Sequence, residues 1–421
     1  MRVLVAGGGF AGLLAARRLA ARGIEVEVWE ASDQPGGWVQ TEDWPGPGGE
    51  PGVLERGPQE LRFRTGDALE RLVRELDLTL LPSPSRDPRW LVREGRRLPQ
   101  PRGLRDLLTG PGLSLETRVR LLLEPLVPVR PAGDLEALLR QRLGRKALRE
   151  LAEPLLASLV PRPLGEVGLE AIPGLSGWNG SLASFARTQA GLRAWVPRGG
   201  VGALSRALAE GLGSRLNVGR SVEALVRKGE AWDVWNPEGT VRVDGVVLAL
   251  PVEPAARLLE GVVPEAAALI REVPSADLMC WHSRHPGPNP WPRGFHLAAA
   301  PGQAPPVLGG ISLAQHDRRG VDGCLQLRTY LQGLEWDWPE VEAWLGTWVP
   351  GLLPAVQVRV LPAPGGFAVP APGHGDRCRQ VDRLLPSGLV WTGAGRLGAG
   401  LGALTEGLPE DMRRVLAGAK A

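Results

Sequence analysis

Cysteine and lysine are scarce in this 421-residue chain, with only three of each. Cys280, Cys324 and Cys378 are odd in number and far apart, which excludes a disulfide framework and any C-x-x-C metal or redox motif and fits a reducing cytosol. Lys146, Lys228 and Lys420 are the only lysines, so the basic excess behind a net charge of +3 and a pI near 9.0 is almost all arginine. No basic stripe is interleaved with aromatics, so no nucleic-acid partner is expected. No apolar run reaches the ~18 residues of a membrane-crossing helix. Met1 leads straight into an apolar strand, so no signal or transit peptide is expected. His282, His285, His296, His316 and His374 form no triad and no metal-ligand group, and no nucleophile elbow is present. His282 and His285 read as solvent-exposed loop residues, and neither a catalytic side chain nor a metal site is expected. No repeat period appears.

What is abundant is glycine, 57 residues, and its placement is informative. Val3 to Ala6 form an apolar run short enough for a buried parallel strand, and Gly7, Gly9 and Gly12 follow in the order G-x-G-x-x-G. Leu13, Leu14, Ala16 and Leu19 then fall at helical spacing, with Arg17, Arg18 and Arg22 on the wetter side. Gly7 permits a tight turn, Gly9 lets the main chain approach a pyrophosphate, and Gly12 lets helix and strand pack closely. The phosphates would meet unpaired N–H groups at the positive end of the helix dipole. Ile24 to Trp29 alternate as a second strand ending in Glu30, about 20 residues beyond the glycines, where a carboxylate accepts both ribose hydroxyls and disfavours a 2′-phosphate. The further pair Gly36-Gly37 shifts the expectation from nicotinamide to flavin.

The length and the 43% apolar content suit two domains. Leu54 to Arg64 reads as a proline-containing turn into a helix near Asp67, and from there to Gln189 the pattern is mostly helical. Within it, 103–129 offers leucine-rich faces bordered by arginines; packing into a helical core is the preferred reading, a peripheral membrane contact the other. From Ala194 the chain reads as strand, turn and helix. Leu216 to Ala224, Trp232 to Trp235 and Val241 to Leu250 read as strands. The span 252–370 holds one expected helix, Glu265 to Glu272, and strand candidates at Val307 to Leu313 and Cys324 to Leu331. Gly388 to Thr392 is again a buried-type strand, followed by Gly393, Gly395, Gly398, Gly400 and Gly402 and a helix to about Leu416, repeating the anion-binding logic of the N-terminus. The dinucleotide unit is thus interrupted, with pieces at 1–66, 190–258 and 372–421. Residues 67–189 form a helical insertion and 259–371 the β-sheet part of a second domain.

These residues resemble the flavin-dependent amine oxidase superfamily and, within it, the oxygen-dependent protoporphyrinogen and coproporphyrinogen oxidases. The similarity runs over the whole length. It is carried by EASDQPGGWVQT (Glu30 to Thr41), LERGPQELR (Leu54 to Arg62), WVPRGGVGALSRALAE (Trp195 to Glu210), DGVVLALP (Asp244 to Pro251) and TGAGRLGAGLGALTEG (Thr392 to Gly407). Trp38 is the most specific position, because most relatives outside the branch carry arginine there. The resemblance implies an α/β fold: a discontinuous Rossmann-like FAD-binding domain with a second α+β substrate domain containing a helical insertion. It implies FAD held by Gly7, Gly8, Gly9, Phe10, Ala11 and Gly12 and by Gly36, Gly37 and Trp38 at the pyrophosphate. Glu30 and Ala31 would meet the adenosine ribose, and the Val222 main chain the adenine. Gly57 and Pro58 would lie near the isoalloxazine, and Gly393, Gly400, Leu401 and Gly402 would aim a helix at its N1 edge, where reduced flavin carries negative charge. The implied partners are a small-molecule tetrapyrrole and oxygen; the cysteine usage points to a cytoplasmic location, with peripheral contact on the inner face of a membrane as the alternative to a buried 103–129.

Two departures stand out. The family's G-P turn is commonly followed by an arginine that meets a substrate carboxylate; here that position is Gln59, with Arg62 or Arg64 as replacement. Before the last helix, Gly402, Ala403 and Leu404 fill positions usually polar or cysteine, and the chain is short for the family. Two other functions fit the same residues: oxidation of an amine or polyene hydrocarbon, and FAD or porphyrin binding without catalysis.

Overall fold

The computed structural model describes residues 1–83, 88–101, 103–157, 159–189, 191–287, 291, 295–299, 307–312, 321 and 323–418. Leu313, His316 and Lys420, named above, lie outside the described residues.

Five parallel strands form the first sheet, in the order Leu216–Val218, Glu25–Glu30, Arg2–Ala6, Gly245–Leu248, Leu389–Trp391. Its strands come from three distant stretches of the chain, and both faces are covered, as parallel sheets require. The two-residue period assigns each face its own core. Val3, Val5, Val28 and Val247 pack against helices Phe10–Ala20, Ala203–Leu212 and Leu401–Gly418. Leu4, Ala6, Trp29, Val246 and Trp391 pack under helices Val252–Glu260 and Pro264–Arg271 and the antiparallel strands Ala224–Lys228, Ala231–Asn236 and Gly239–Val243. The first strand is flanked by the second on one side and by Gly245–Leu248 on the other. The strand order therefore reverses beside Gly7, the point at which open α/β sheets bind ligands.

A second, seven-stranded sheet runs Gln357–Ala368, Ser275–Pro286, Cys324–Gln332, Val307–Ser312, His296–Ala299, Arg89–Arg93, Arg96–Pro99. Its last two strands correct the reading of 67–189 as mostly helical. Glu94 (φ 50°) and Gly95 (φ 69°) form a two-residue turn with both φ positive, the geometry that closes a tight hairpin, and Arg93 pairs with Arg96 across it. Three other expectations are corrected. Leu216 to Ala224 is not one strand: the chain leaves the parallel sheet after Val218 and joins the antiparallel one at Ala224. Val241 to Leu250 likewise changes sheets at Asp244, whose carboxylate accepts the Arg2 N–H at 2.7 Å. The span 252–370 holds three helices among its described residues, adding Val252–Glu260 and Trp338–Trp348, the latter closed by an Asp337/Glu340 capping box.

The helical part has its own core around Leu135, Leu139, Leu143 and Val167. The leucines of 103–129 do not all join it. Leu115 and Leu126 are 77% and 78% exposed, and Val119, Leu122, Leu123 and Val129 are exposed too, which overturns the preferred reading of this stretch as helical core. The helix Leu115–Leu123 buries only Thr117, so its apolar face is turned to solvent. No described helix is long and apolar enough to cross a membrane.

Candidate functional site

Glycine determines how closely the first loop folds on itself. A Cβ on Gly12 would lie 1.9 Å from the Gly7 carbonyl oxygen, and one on Gly7 would lie 2.5 Å from that of Ala249. Helix and strand can meet at this distance only without side chains. A Cβ on Gly9, by contrast, would touch no atom within 4 Å, and no side chain caps the helix that starts at Phe10. The first-turn N–H groups thus border open space, as a phosphate cradle requires. Glu30 sits at the end of the second strand. Its Oε2 accepts the Gly8 N–H at 2.6 Å and its Oε1 accepts the Ser32 N–H at 2.9 Å, leaving lone pairs for hydroxyl donors. Ala31 beside it is exposed.

The second glycine pair packs on the first. Gly36 donates to the Gly8 carbonyl at 2.8 Å and forms a bridge with Gly9, while a Cβ on Gly37 (φ 58°) would lie 3.3 Å from the Gly9 Cα. The loop 219–223 joins the same end of the sheet, Arg220 donating to the Glu30 carbonyl and Gly219 to that of Ser32, and it carries Val222. From the other end of the chain, Gly393 (φ 99°) comes within 3.8 Å of the Ala11 side chain, measured from its ideal Cβ. Leu401 packs on the core that holds Phe10 and Leu14, and Arg18 donates to the Thr405 carbonyl at 3.0 Å. A Cβ on Gly402 would touch no atom within 4 Å, and one on Gly400 only the Ala403 side chain at 4.0 Å. The two glycine-rich junctions therefore converge, and their open sides fit a dinucleotide bearing a flavin.

Gly57 is pressed against Trp38: a Cβ there would lie 2.2 Å from the Trp38 carbonyl oxygen. Pro58 follows, half-buried, and Gln59 is buried. Arg62 is exposed and paired with Glu60 at 2.6 Å, on the strand face opposite to buried Leu61 and Phe63. Arg64 donates to the Thr188 carbonyl.

The residue that grips the Gly57 turn is one that sequence reasoning missed. Arg328, 3% exposed, donates to the carbonyls of Gly57 and Arg56 and, at 2.8 Å, to the Cys280 sulfur. It belongs to a polar face of the second sheet on which Cys280, His282 and Arg284 stand opposite Tyr330, Arg328 and Gln326. Arg284 donates to the carbonyls of Trp44 and Pro45, and Gln326 to that of Val53. This face clamps the hairpin Thr41–Asp43/Val53–Glu55 and the turn after it. The alternation in Leu325-Gln326-Leu327-Arg328 was the available signal.

His282 and His285 are correspondingly not loop residues: they are 0% and 1% exposed on the strand Ser275–Pro286. Burial, and then the charge of Arg328, holds His282 well below the usual imidazole range, so it is neutral. Burial lowers His285 despite its contact with the Leu353 carbonyl. Burial also pushes the Cys280 thiol up, with Arg328 opposing it. No group of three or more metal-ligating side chains occurs among the described residues.

The profile of the family described as flavin containing amine oxidoreductase matches residues 10–331. Coproporphyrinogen III oxidase of Propionibacterium freudenreichii subsp. freudenreichii is 30% identical over 334 residues; the match covers 65% of this chain and 61% of that relative's length. Among solved structures, a protein assigned as a protoporphyrinogen oxidase from Exiguobacterium sp. 255-15 superposes with a TM-score of 0.80 at 19% identity, covering 100% of this chain and 99% of the other. Cyclohexylamine oxidase from Brevibacterium oxydans IH-35A gives 0.72 at 16%, covering 100% and 98%. These two likenesses concern the fold.

Proposed function

The chain belongs to the flavin containing amine oxidoreductase family and is a FAD-dependent oxidoreductase, and from that premise we propose that it oxidises a porphyrinogen to the porphyrin with oxygen as acceptor. The observation that carries the cofactor half of this reading is the approach of Gly393 to Ala11, which brings the two glycine-rich junctions together. The substrate half is supported by the identity to a coproporphyrinogen oxidase and by Trp38 standing against the Gly57 turn.

In this proposal the N–H groups of Gly9 to Gly12 hold the pyrophosphate, Gly36 and Gly37 flank it, and Glu30, which already accepts the Gly8 N–H, receives the ribose hydroxyls. The Val222 segment borders the adenine. Gly57 and Pro58 line the ring, and the start of the helix at Leu401 supplies positive potential to it. When bound, FAD supplies hydride acceptance and electron transfer to oxygen. The protein's own part is orientation. His282 is neutral and sealed under the sheet, so hydride loss from an electron-rich substrate, with its N–H protons leaving to solvent, is served by positioning and not by a side-chain base. In this reading 1–66, 190–258 and 372–421 form the FAD-binding domain, supported by their holding all five parallel strands, and 67–189 with 259–371 form the second domain. The exposed leucines of 115–126 form a face for peripheral contact with a bilayer, which would suit an apolar substrate.

The test is anaerobic addition of coproporphyrinogen III to FAD-loaded protein. Bleaching of the flavin band, then its return with peroxide on admitting air, is the expected outcome. Bleaching by cyclohexylamine but not by the porphyrinogen would assign the chain to amines, and bleaching by neither would leave a binding protein.

A further inference from the structure

A second cavity lies apart from the dinucleotide junctions and shares no residue with them. It is a cleft open to solvent, with a volume of about 580 Å³, beside the three-stranded sheet of Leu61–Phe63, Arg193–Pro197 and Leu80–Pro82, against the helix Ala68–Glu75. That volume is in the range of sites for drug-sized molecules, about 300–1,000 Å³. Its walls are of two kinds. The apolar part is built on Phe63 and Trp195, whose rings are stacked 6.3 Å apart at 14°, with Leu80 beside them. The charged part consists of Arg64 and Arg193 together with the Glu70–Arg74 ion pair, which neutralises itself.

Neither Arg64 nor Arg193 meets a carboxylate among the described residues. Arg64 gives one nitrogen to the Thr188 carbonyl, and Arg193 has no partner among those residues. Gly191 completes the mouth. A Cβ there would lie 3.2 Å from the Arg64 Nε, so a larger residue would crowd the guanidinium. Two uncompensated guanidiniums next to a stacked aromatic pair match one kind of ligand: a planar apolar body with an attached carboxylate. The body gains by offset stacking and burial, the carboxylate by charge-assisted hydrogen bonds.

We infer that this cavity is a binding site for an aromatic carboxylate, its ring system on the Phe63–Trp195 stack and its charge met by Arg64 and Arg193. The inference does not rest on the flavin placement, and it assigns Arg64, one of the two arginines considered for the substrate carboxylate, to this cavity.

The test uses FAD-loaded protein and two fluorescent probes, 1-pyrenebutyrate and the uncharged 1-pyrenemethanol. The carboxylate should bind saturably and at least about tenfold more tightly than the alcohol, the difference expected for one charge-assisted bond. Arg193→Ala should remove about that factor. Gly191→Leu, which fills the mouth and crowds Arg64 without removing a charge, should abolish binding, and in both variants the flavin spectrum should be unchanged. Equal affinity for the two probes, or carboxylate binding that survives both substitutions, overturns the assignment.

Discussion

Gly9 and Gly12 belong to one junction, yet opposite failures are expected from their alanine variants. At Gly9 a Cβ meets no atom within 4 Å, and φ −67° with ψ 172° is a conformation alanine adopts freely. Gly9→Ala should leave the unfolding free energy of FAD-free protein within about 0.5 kcal/mol of the parent, like other substitutions that touch nothing. The methyl would nevertheless stand in front of the first-turn N–H groups. A pyrophosphate seated there would lose two charge-assisted bonds of about 1.5–3 kcal/mol each, which corresponds to roughly 10²- to 10⁴-fold in Kd. At Gly12 the Cβ would sit 1.9 Å from the Gly7 carbonyl oxygen and 3.3 Å from the Ala249 side chain. The helix must then move off the strand, and overpacking of this kind costs about 1–3 kcal/mol or more before any ligand is added. Urea unfolding of FAD-stripped protein, with FAD titration by quenching of flavin fluorescence, separates the two effects. If Gly9→Ala binds FAD as tightly as the parent, the open side of this junction is not where the dinucleotide sits.

The buried polar face and the thiols give three further expectations. Arg328→Lys keeps a charge but cannot reach the carbonyls of Arg56 and Gly57 and the Cys280 sulfur together, so chemical unfolding should report a loss of about 1–3 kcal/mol; an unchanged midpoint would mean that the Gly57 turn is held by something else. His282, His285 and His374 are all lowered by burial, so above pH about 6.5 they are neutral folded or unfolded and contribute no pH dependence. Below that, the unfolded chain takes up protons that the folded one refuses, and stability should fall with pH by up to about 1.4 kcal/mol per unit per histidine. A melting temperature flat from neutral pH to about 5.5 contradicts their burial. Burial raises the Cys378 thiol to about 11 and raises Cys280 as well, whereas Cys324 is half-exposed, so a disulfide reagent at mildly alkaline pH should label one thiol quickly. Rapid loss of two thiols would not fit this structure.

The parts of the site legible in the sequence are those whose partners are close in the chain or whose geometry only glycine permits. Gly7 to Gly12, Glu30 and Gly36-Gly37 lie within one strand–helix–strand unit, and each spacing has a single mechanical reason. Sheet changes at Val218/Ala224 and at Asp244 left no such mark, because a run of β-branched residues suits a parallel or an antiparallel sheet equally well. The clamp on the Gly57 turn was hidden for another reason. Arg328 faces His282 only through the register of two strands 46 positions apart in that pair, and no local pattern encodes a pairing partner. The exposed leucines at 115 and 122 misled because helical periodicity reports that a face is apolar and is silent on what covers it.

The two junctions also differ in what keeps them in place. The N-terminal loop is fixed by close backbone contacts, Gly12 on Gly7 and Gly37 on Gly9, so its precision comes from absent side chains. The C-terminal loop has glycines at 393 and 398 with positive φ and few neighbours, while Gly395 between them is pressed on Val252 and Trp391. Charge adds to that packing. Arg396, between those glycines, is bidentate to Asp382 at 2.7 and 2.9 Å and donates to Asp411 at 2.9 Å; Asp411 accepts from the Thr392 hydroxyl, and Arg414 closes on Asp382. His374 meets the Arg396 carbonyl at 2.9 Å. Such buried ion networks add little net stability, since desolvation offsets much of the attraction, but they penalise every arrangement that leaves a charge unpaired by about 3–5 kcal/mol. A loop that must stay open toward a ligand cannot be held by packing into the space the ligand needs. Anchoring it through Arg396 leaves the Gly398 side free while Gly393, from the other end of the chain, lies beside Ala11.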